Sequence, residues 1–392
     1  MKSKLLPLTM GGFGLGMTEF VIMGILPDVA NTLHVTIPSA GHLISAYALG
    51  VVFGAPLLVA LASKIPPKRT LVGLMVLFVI GNALSVFAPG YELMLLTRFI
   101  SGLPHGAFFG VGAVVAARLA DPGKEAQAVS IMFAGLTIAN IIGVPLGTYI
   151  GHNFSWRITF AIIVVVGILA VLSLKHWLPE IPASKESSLK REVKVFTRAE
   201  PWLIFVISIL GNGGFFAWFS YIAPLFTEVA GFSSNAVTWL MVIAGVGMAV
   251  GNLIGGRLAD KFSPLKATCW LLLMMAAALI SIIFTAEYKG ATLLMTFITG
   301  AIAFSMASPV QMLMIHAAKG SEMLAASVSQ CGFNLGNAIG AYLGGVPIAA
   351  GLGFTSPEWV GAALVIGAFL FSLAIVGTNR GKATKPAPAV MS

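Results

Sequence analysis

Twelve long stretches almost free of charged residues divide this chain, and they limit what it can fold into. They fall within residues 5–30, 37–62, 70–89, 92–117, 126–151, 157–176, 201–227, 236–256, 266–286, 290–317, 323–351 and 358–379. Each is long enough to cross a hydrocarbon layer roughly 30 Å thick, which takes about 20 helical residues. Lipid offers no water to bond backbone polar groups, so helices are the expected form. A β-barrel would need strands of alternating polarity, and these stretches do not alternate. A soluble alternative fails on composition. Here 58% of residues are hydrophobic, 9% are charged, and the mean hydropathy is +0.95. Soluble domains carry about a quarter charged residues, and their cores stop growing near roughly 250–300 residues. The first stretch is too long for the apolar core of a signal peptide and eleven more follow it, so it is expected to stay uncleaved.

Orientation follows from the basic residues. Lys or Arg falls in one alternate set of connections in 20 of 23 cases, from Lys2 and Lys4 through Lys64, Lys68 and Arg69 to Arg380, Lys382 and Lys385. The opposite set holds Arg157 and Lys289, and Arg98 lies within a stretch. The two faces then carry +12 and −3, so the overall charge of +9 reports topology. The positive face, with both termini, is expected to be cytoplasmic. No basic patch interleaved with exposed aromatics points to nucleic acid. Cys269 and Cys331 both sit in apolar stretches, so neither a disulfide framework nor a cysteine metal site is indicated.

A shift of 197 residues lays the chain on itself. Gly14 and Gly16 fall on Gly211 and Gly213, Pro27 on Pro224, and Gly50 and Gly54 on Gly247 and Gly251. Leu61-Ala62-x-Lys64 matches Leu258-Ala259-x-Lys261, and Pro67 matches Pro264. Gly135, Asn140, Gly143, Leu146 and Gly147 then match Gly332, Asn337, Gly340, Leu343 and Gly344. One ungapped offset over such a length marks a duplication. The expected plan is an all-α membrane protein of two six-helix bundles, 1–178 and 201–379, with a linker at 179–200 and a tail at 380–392. Parallel repeats of this kind hold a central site at their interface and rock about it.

Few polar groups lie at membrane depth, and they are the candidate site. Glu19 is the one carboxylate well inside a stretch, where an ionised acid is costly and usually faces a cavity or a partner. Two readings stand: a group that exchanges a proton as access alternates, or a protonated acid bridging two helices. Its counterpart 197 residues on is Phe216, so the halves differ chemically. Arg98, the one intramembrane cation, could pair with Glu19, line the cavity, or snorkel toward an interface. His105 follows Pro104 about two turns along the same helix, as proton relay or packing residue.

Tyr47, Asn140, Asn212, Trp218, Tyr221, Gln330, Asn334 and Asn337 supply hydrogen-bonding groups and aromatic faces for a mixed polar and aromatic substrate cavity. Helix-packing hydrogen bonds are the competing role for each. Asn334 and Asn337, three apart, share a helix face. Gly143, Pro145 and Gly147 make a tightly packed, bent segment able to seal one side of a pathway. In Gly255-Gly256-Arg257-Leu258-Ala259-Asp260-Lys261, read as a loop between stretches eight and nine, Arg257 and Asp260 could form a charge relay that opens on rocking, or simply set topology.

Those residues resemble the major facilitator superfamily over nearly the whole chain. Gly255–Lys261 resembles its G-x-L-A-D-R loop motif. Arg98-x-x-Ser101-Gly102 is similar to its fourth-helix motif, with Ser101 where Gln is usual. Gly143-Val-Pro145-Leu-Gly147 resembles the fifth-helix antiporter motif of the drug:proton branch. Thr18-Glu19-Phe20, His42 to Gly50 (with Tyr47), Pro104 to Gly110 and Trp156-Arg157 look like the arabinose efflux permease and sugar efflux transporter group. The resemblance implies a bacterial inner-membrane antiporter that exports a sugar or amphipathic drug, driven by the proton gradient with no bound cofactor. By position, it makes Glu19 and Arg98 the coupling residues. The first-half loop departs from the motif, with Ser63 in place of aspartate, which leaves any relay to Asp260. A proton-coupled uptake symporter is the alternative within the class. A non-transporting sensor would normally carry a soluble output domain. A membrane enzyme would need a nucleophile with its base, or clustered metal ligands, at depth, and the stretches hold none. The expected partners are a small-molecule substrate and the bilayer, with the chain as a monomer.

Overall fold

The computed structural model describes residues 2–62, 64–122, 124–182, 197–318 and 322–383. Most of the linker therefore lies outside the described residues, as does the tail beyond 383. Twelve long helices carry the fold, here α1 Lys2–Gly24, α2 Ile37–Ala62, α3 Pro67–Val86, α4 Tyr91–Arg118, α6 Trp156–Trp177, α7 Ala199–Phe219, α8 Ser234–Lys261, α9 Pro264–Thr285, α10 Lys289–Ala317, α11 Glu322–Ala349 and α12 Pro357–Ala383. The remaining one, α5, runs as Glu125–Ile138, a π-helical turn Ala139–Gly143, then Val144–Asn153. Among the described residues eleven helices are long and apolar enough to cross a bilayer, and α11, 28 residues long, completes the twelve.

The π turn has a local cause. Pro145 has no amide to bond the carbonyl four residues back, and the Val144 amide instead reaches five back to Ala139. A second π turn, Leu225–Val229, follows Pro224 beyond α7. The expected loop Gly255–Lys261 is corrected: α8 stays helical through Lys261, and Phe262 begins the connection. Gly255 is retained inside the helix because a Cβ there would meet the backbone of Ser305 on α10.

The duplication reappears in packing. Within the first half α2 packs on α4, α1 on α5 and α6, and α3 on α4 and α6. In the second half α8 packs on α10, α7 on α11 and α12, and α9 on α10 and α12. Each contact recurs six helices later. The match extends to single residues: Gly50 and Gly54 lie against the carbonyls of Phe99 and Leu103, as Gly247 and Gly251 do against those of Phe297 and Ala301. Side chains this small let helix backbones approach closely where lipid gives no hydrophobic drive. The partners on the fourth helix of each half are related by 198 residues, one more than the offset elsewhere. The halves meet along two seams, α2 with α11 and α5 with α8, which are themselves related by the duplication.

Candidate substrate cavity and proton site

Between the halves lies a cavity of about 770 Å³. Its inner end is marked by Glu19 and Phe20. From there it runs toward the Lys/Arg-rich face along Val129 of α5, Gly256 of α8 and Gln311 of α10. Phe20 closes the inner end. Its ring stands 6.1 Å from those of Phe216 and Phe219 and 6.2 Å from that of Phe304, all on the opposite half. Beyond this aromatic plug the halves are sealed. Tyr221 reaches the Ala341 carbonyl (2.7 Å) with its ring end between Gly41 and Gly345, and Ser45 donates to the Ala338 carbonyl at 2.8 Å. His42 bonds Tyr91 at 2.9 Å and stacks on Tyr342 of the other half. The arrangement is inward-facing.

Glu19, 8% exposed, sits where the halves touch. Its Oε1 accepts a hydrogen bond from Asn337 Nδ2 at 3.0 Å, across the interface. Asn337 in turn accepts from Asn212, whose amide also donates to the Phe333 carbonyl at 2.8 Å. On the other side, Glu19 Oε2 is 3.9 Å from His105 Nε2, and His105 Nδ1 is 2.8 Å from the Tyr47 hydroxyl. The Arg98 guanidinium lies over the Tyr47 ring, 4.4 Å from its centre. Of the three places open to Arg98, the structure shows none. It is fully buried, is absent from the cavity wall, and among the described residues forms no ion pair with Glu19. Its Nη1 instead donates to the Thr18 carbonyl and hydroxyl, both at 3.1 Å, and Thr18 donates to Asn82 at 2.6 Å. Snorkelling fails because the guanidinium finds these acceptors and an aromatic face inside the bundle.

Asn212, Gln330, Asn334 and Asn337 line the cavity together with Glu19 and His105. Four of the other candidates do not. Tyr47 lies behind His105, and Tyr221 belongs to the far seal. Trp218 is buried among Phe215 and Phe219, and the backbone of Asn140 abuts Gly245 on α8. Gly143 packs on Phe13 and Gly147 on Val21 and Thr159, so this segment binds α5 to α1 and α6. Arg257 is exposed, and the side chain of Asp260 lies outside the described residues. The wall also holds Asn252 and Gln311, amides in a span and open to the same criterion that selects Asn334. Asn82, an amide within 70–89, meets that criterion too but bonds Thr18 behind Arg98 and is absent from the wall, and Thr18 carries no comparable signal. Glu358, at the start of α12, is a second buried carboxylate, 1% exposed. No group of three or more metal-ligating side chains is present among the described residues.

The model of the Major Facilitator Superfamily matches residues 8–323 and 232–391. The chain belongs to that superfamily. It is 40% identical to "Putative transporter AraJ" of Escherichia coli K12, covering 100% of this chain and 99% of that one. It is 28% identical both to "Chloramphenicol resistance protein" of Streptomyces lividans (91% and 92% covered) and to "Probable sugar efflux transporter" of Mannheimia succiniciproducens (92% and 90%). The crystal structure of a D-xylose-proton symporter shares the fold, with a TM-score of 0.78 at 19% identity over 94% of this chain and 96% of that one. The protein is thus a multi-pass transporter of the bacterial inner membrane, not an enzyme, and it handles a small molecule within the bilayer.

Proposed function

We propose that this transporter is a proton-driven antiporter that exports a small, uncharged organic solute, a sugar or an amphipathic drug. The observation that carries the reading is the buried Glu19 carboxylate, bonded by an amide of the opposite half inside the substrate cavity. A titrating group at that point makes the contact between the halves depend on its proton. Ionised, Glu19 holds the Asn337 amide. Ionised, it can also accept a donor group of the solute, and protonated it accepts such a group less strongly. Substrate and proton then compete for the Glu19 carboxylate, which is what exchange in opposite directions requires.

His105 and Tyr47 give Glu19 a partner in both states. A neutral imidazole has one donor and one acceptor nitrogen. With the Tyr47 hydroxyl donating to Nδ1, Nε2–H faces an ionised Glu19. With Nδ1–H donating to Tyr47, the Nε2 lone pair faces a protonated one, 3.9 Å away. Arg98, over the Tyr47 ring, supplies positive charge nearby without neutralising the acid directly. The energy source in this scheme is the transmembrane proton gradient, with no bound cofactor.

The walls support an uncharged solute. Asn212, Asn252, Gln311, Gln330, Asn334 and Asn337 form a carboxamide wall on the second half, opposite Phe20, Phe109 and Phe133 on the first. Glu19 is the one carboxylate among the described lining residues. Relatives named for sugar efflux and chloramphenicol resistance point to the same kind of cargo. The test is reconstitution of wild type and Glu19→Gln in liposomes, following lumenal pH on addition of sugars, neutral drugs and lipophilic cations. One solute class should drive proton movement in wild type and not in the variant. Equal proton movement in the variant would overturn the assignment of Glu19.

A further inference from the structure

We propose that the cavity has a side entrance between α5 and α8, through which an uncharged amphipathic solute enters from the cytoplasmic leaflet. The inference rests on the cavity being the transport site. On α8, Trp239, Val246 and Leu253 recur every seven residues, about two turns, and are 71%, 37% and 68% exposed; Trp239 and Val246 are absent from the cavity wall, so the stripe they share with Leu253 faces outward. On α5 the matching stripe includes Ile138 (43%) and Ile142 (58%). Leu253 and Ile138 nevertheless line the cavity. A side chain can belong to the outer surface and the inner wall at once only where the wall between them is open.

The packing along this seam agrees. Toward the periplasm, Gly245 abuts the backbone of Asn140 and Ile141. Toward the cytoplasm, the Cβ position of Gly256, in the cavity wall, meets nothing within 4 Å. The related seam is shut at the corresponding depth. There Cys331 Sγ lies 3.9 Å from the Val52 carbonyl, α2 contributes nothing to the cavity wall, and Leu335 and Pro56, each 197 residues from Ile138 and Leu253, are absent from it.

The occupant follows from what the entrance leads to. Its apolar edge continues into Phe133 and Phe109, stacked at 4.9 Å, and the carboxamides face them. Among the described residues no Lys or Arg lines the cavity, so an anionic lipid headgroup would find no counter-charge. A neutral molecule with a hydrocarbon body and a hydrogen-bonding edge fits both sides.

Thiol labelling tests the entrance without any transport step, so its outcome is separate from that of Glu19→Gln. In full-length protein in liposomes, with Cys269→Ser and Cys331→Ser, Ala134→Cys places a thiol on the cavity wall. Membrane-partitioned pyrenyl maleimide and a charged, water-soluble methanethiosulfonate supplied at the cytoplasmic face are the two probes. Adding Ile138→Trp and Leu253→Trp should slow the maleimide roughly tenfold and leave the soluble reagent unchanged. Leu253→Ala, which crowds nothing, should speed the maleimide alone. If Leu253→Ala leaves the maleimide rate unchanged, or if both reagents respond together, entry is through the cytoplasmic mouth and the proposal falls.

Discussion

Glu19 on α1 and Phe216 on α7 stand at equivalent places in the two halves, 197 residues apart, and their rings and carboxylate meet at one end of one cavity. The first half brings the titratable groups there, Glu19 and His105, with Tyr47 and Arg98 behind them. The second half brings amides and aromatic rings. Asn140 and Asn337 are equivalent in the same way and equally buried, at 4% exposure each. Asn337 lies in an unbroken α-helix and reaches Glu19, whereas Asn140 lies in the π turn of α5 and is absent from the cavity wall. The duplication thus kept the scaffold, while Pro145 and the set Glu19, His105, Tyr47 and Arg98, all in the first half, make the halves chemically distinct.

The largest expected effect breaks that difference outright. Glu19→Gln should reduce solute-driven proton flux in liposomes to the protein-free background, while Phe216→Leu should leave the coupling intact. Next, Asn337→Ala removes a hydrogen bond to a carboxylate, for which about 1.5–3 kcal/mol is usual. Solute affinity should fall on the order of tenfold or more in an equilibrium binding measurement, and Asn140→Ala should change it far less. The shared scaffold gives a matched pair: Gly54→Ala and Gly251→Ala each push a Cβ into a neighbouring backbone. Each should cost about 1–3 kcal/mol and lower the thermal unfolding midpoint in detergent by similar amounts. A clear inequality between them would show that one seam-side helix pair is looser than its copy. Smallest is Tyr47→Phe, which removes one neutral hydrogen bond worth about 0.5–1.5 kcal/mol. It should slow proton-coupled transport several-fold without abolishing it.

Much of this architecture is legible in one dimension. Charge-poor stretches and the placement of Lys and Arg report the solvent around each segment, and the repeat reports which helices take equivalent places. Glu19, His105, Asn212, Gln330, Asn334 and Asn337 all come to one cavity because a polar group at membrane depth has few other places to go. The same reasoning fails for Arg98. Its buried position depends on Thr18, Asn82 and the Tyr47 ring, contributed by three other helices and set by no spacing along the chain. It fails again for Gly255–Lys261, where charged and glycine residues read as a loop but a close-packed neighbour keeps the helix intact. Tyr221 shows a third limit. An aromatic at membrane depth reads as a substrate contact, and only the meeting of the halves puts it in a seal.

The ring of Phe20, set among Phe216, Phe219 and Phe304, bears on how the carrier divides its time between its two faces. Any opening toward the periplasm must draw that ring out and wet it. A phenyl side chain buries about 150 Å² or more, so wetting it costs on the order of 4 kcal/mol. Taken alone, a term of that size favours the inward-facing state roughly a thousandfold. That term holds the empty carrier open to the cytoplasmic side, the side from which the proposed export would draw its cargo.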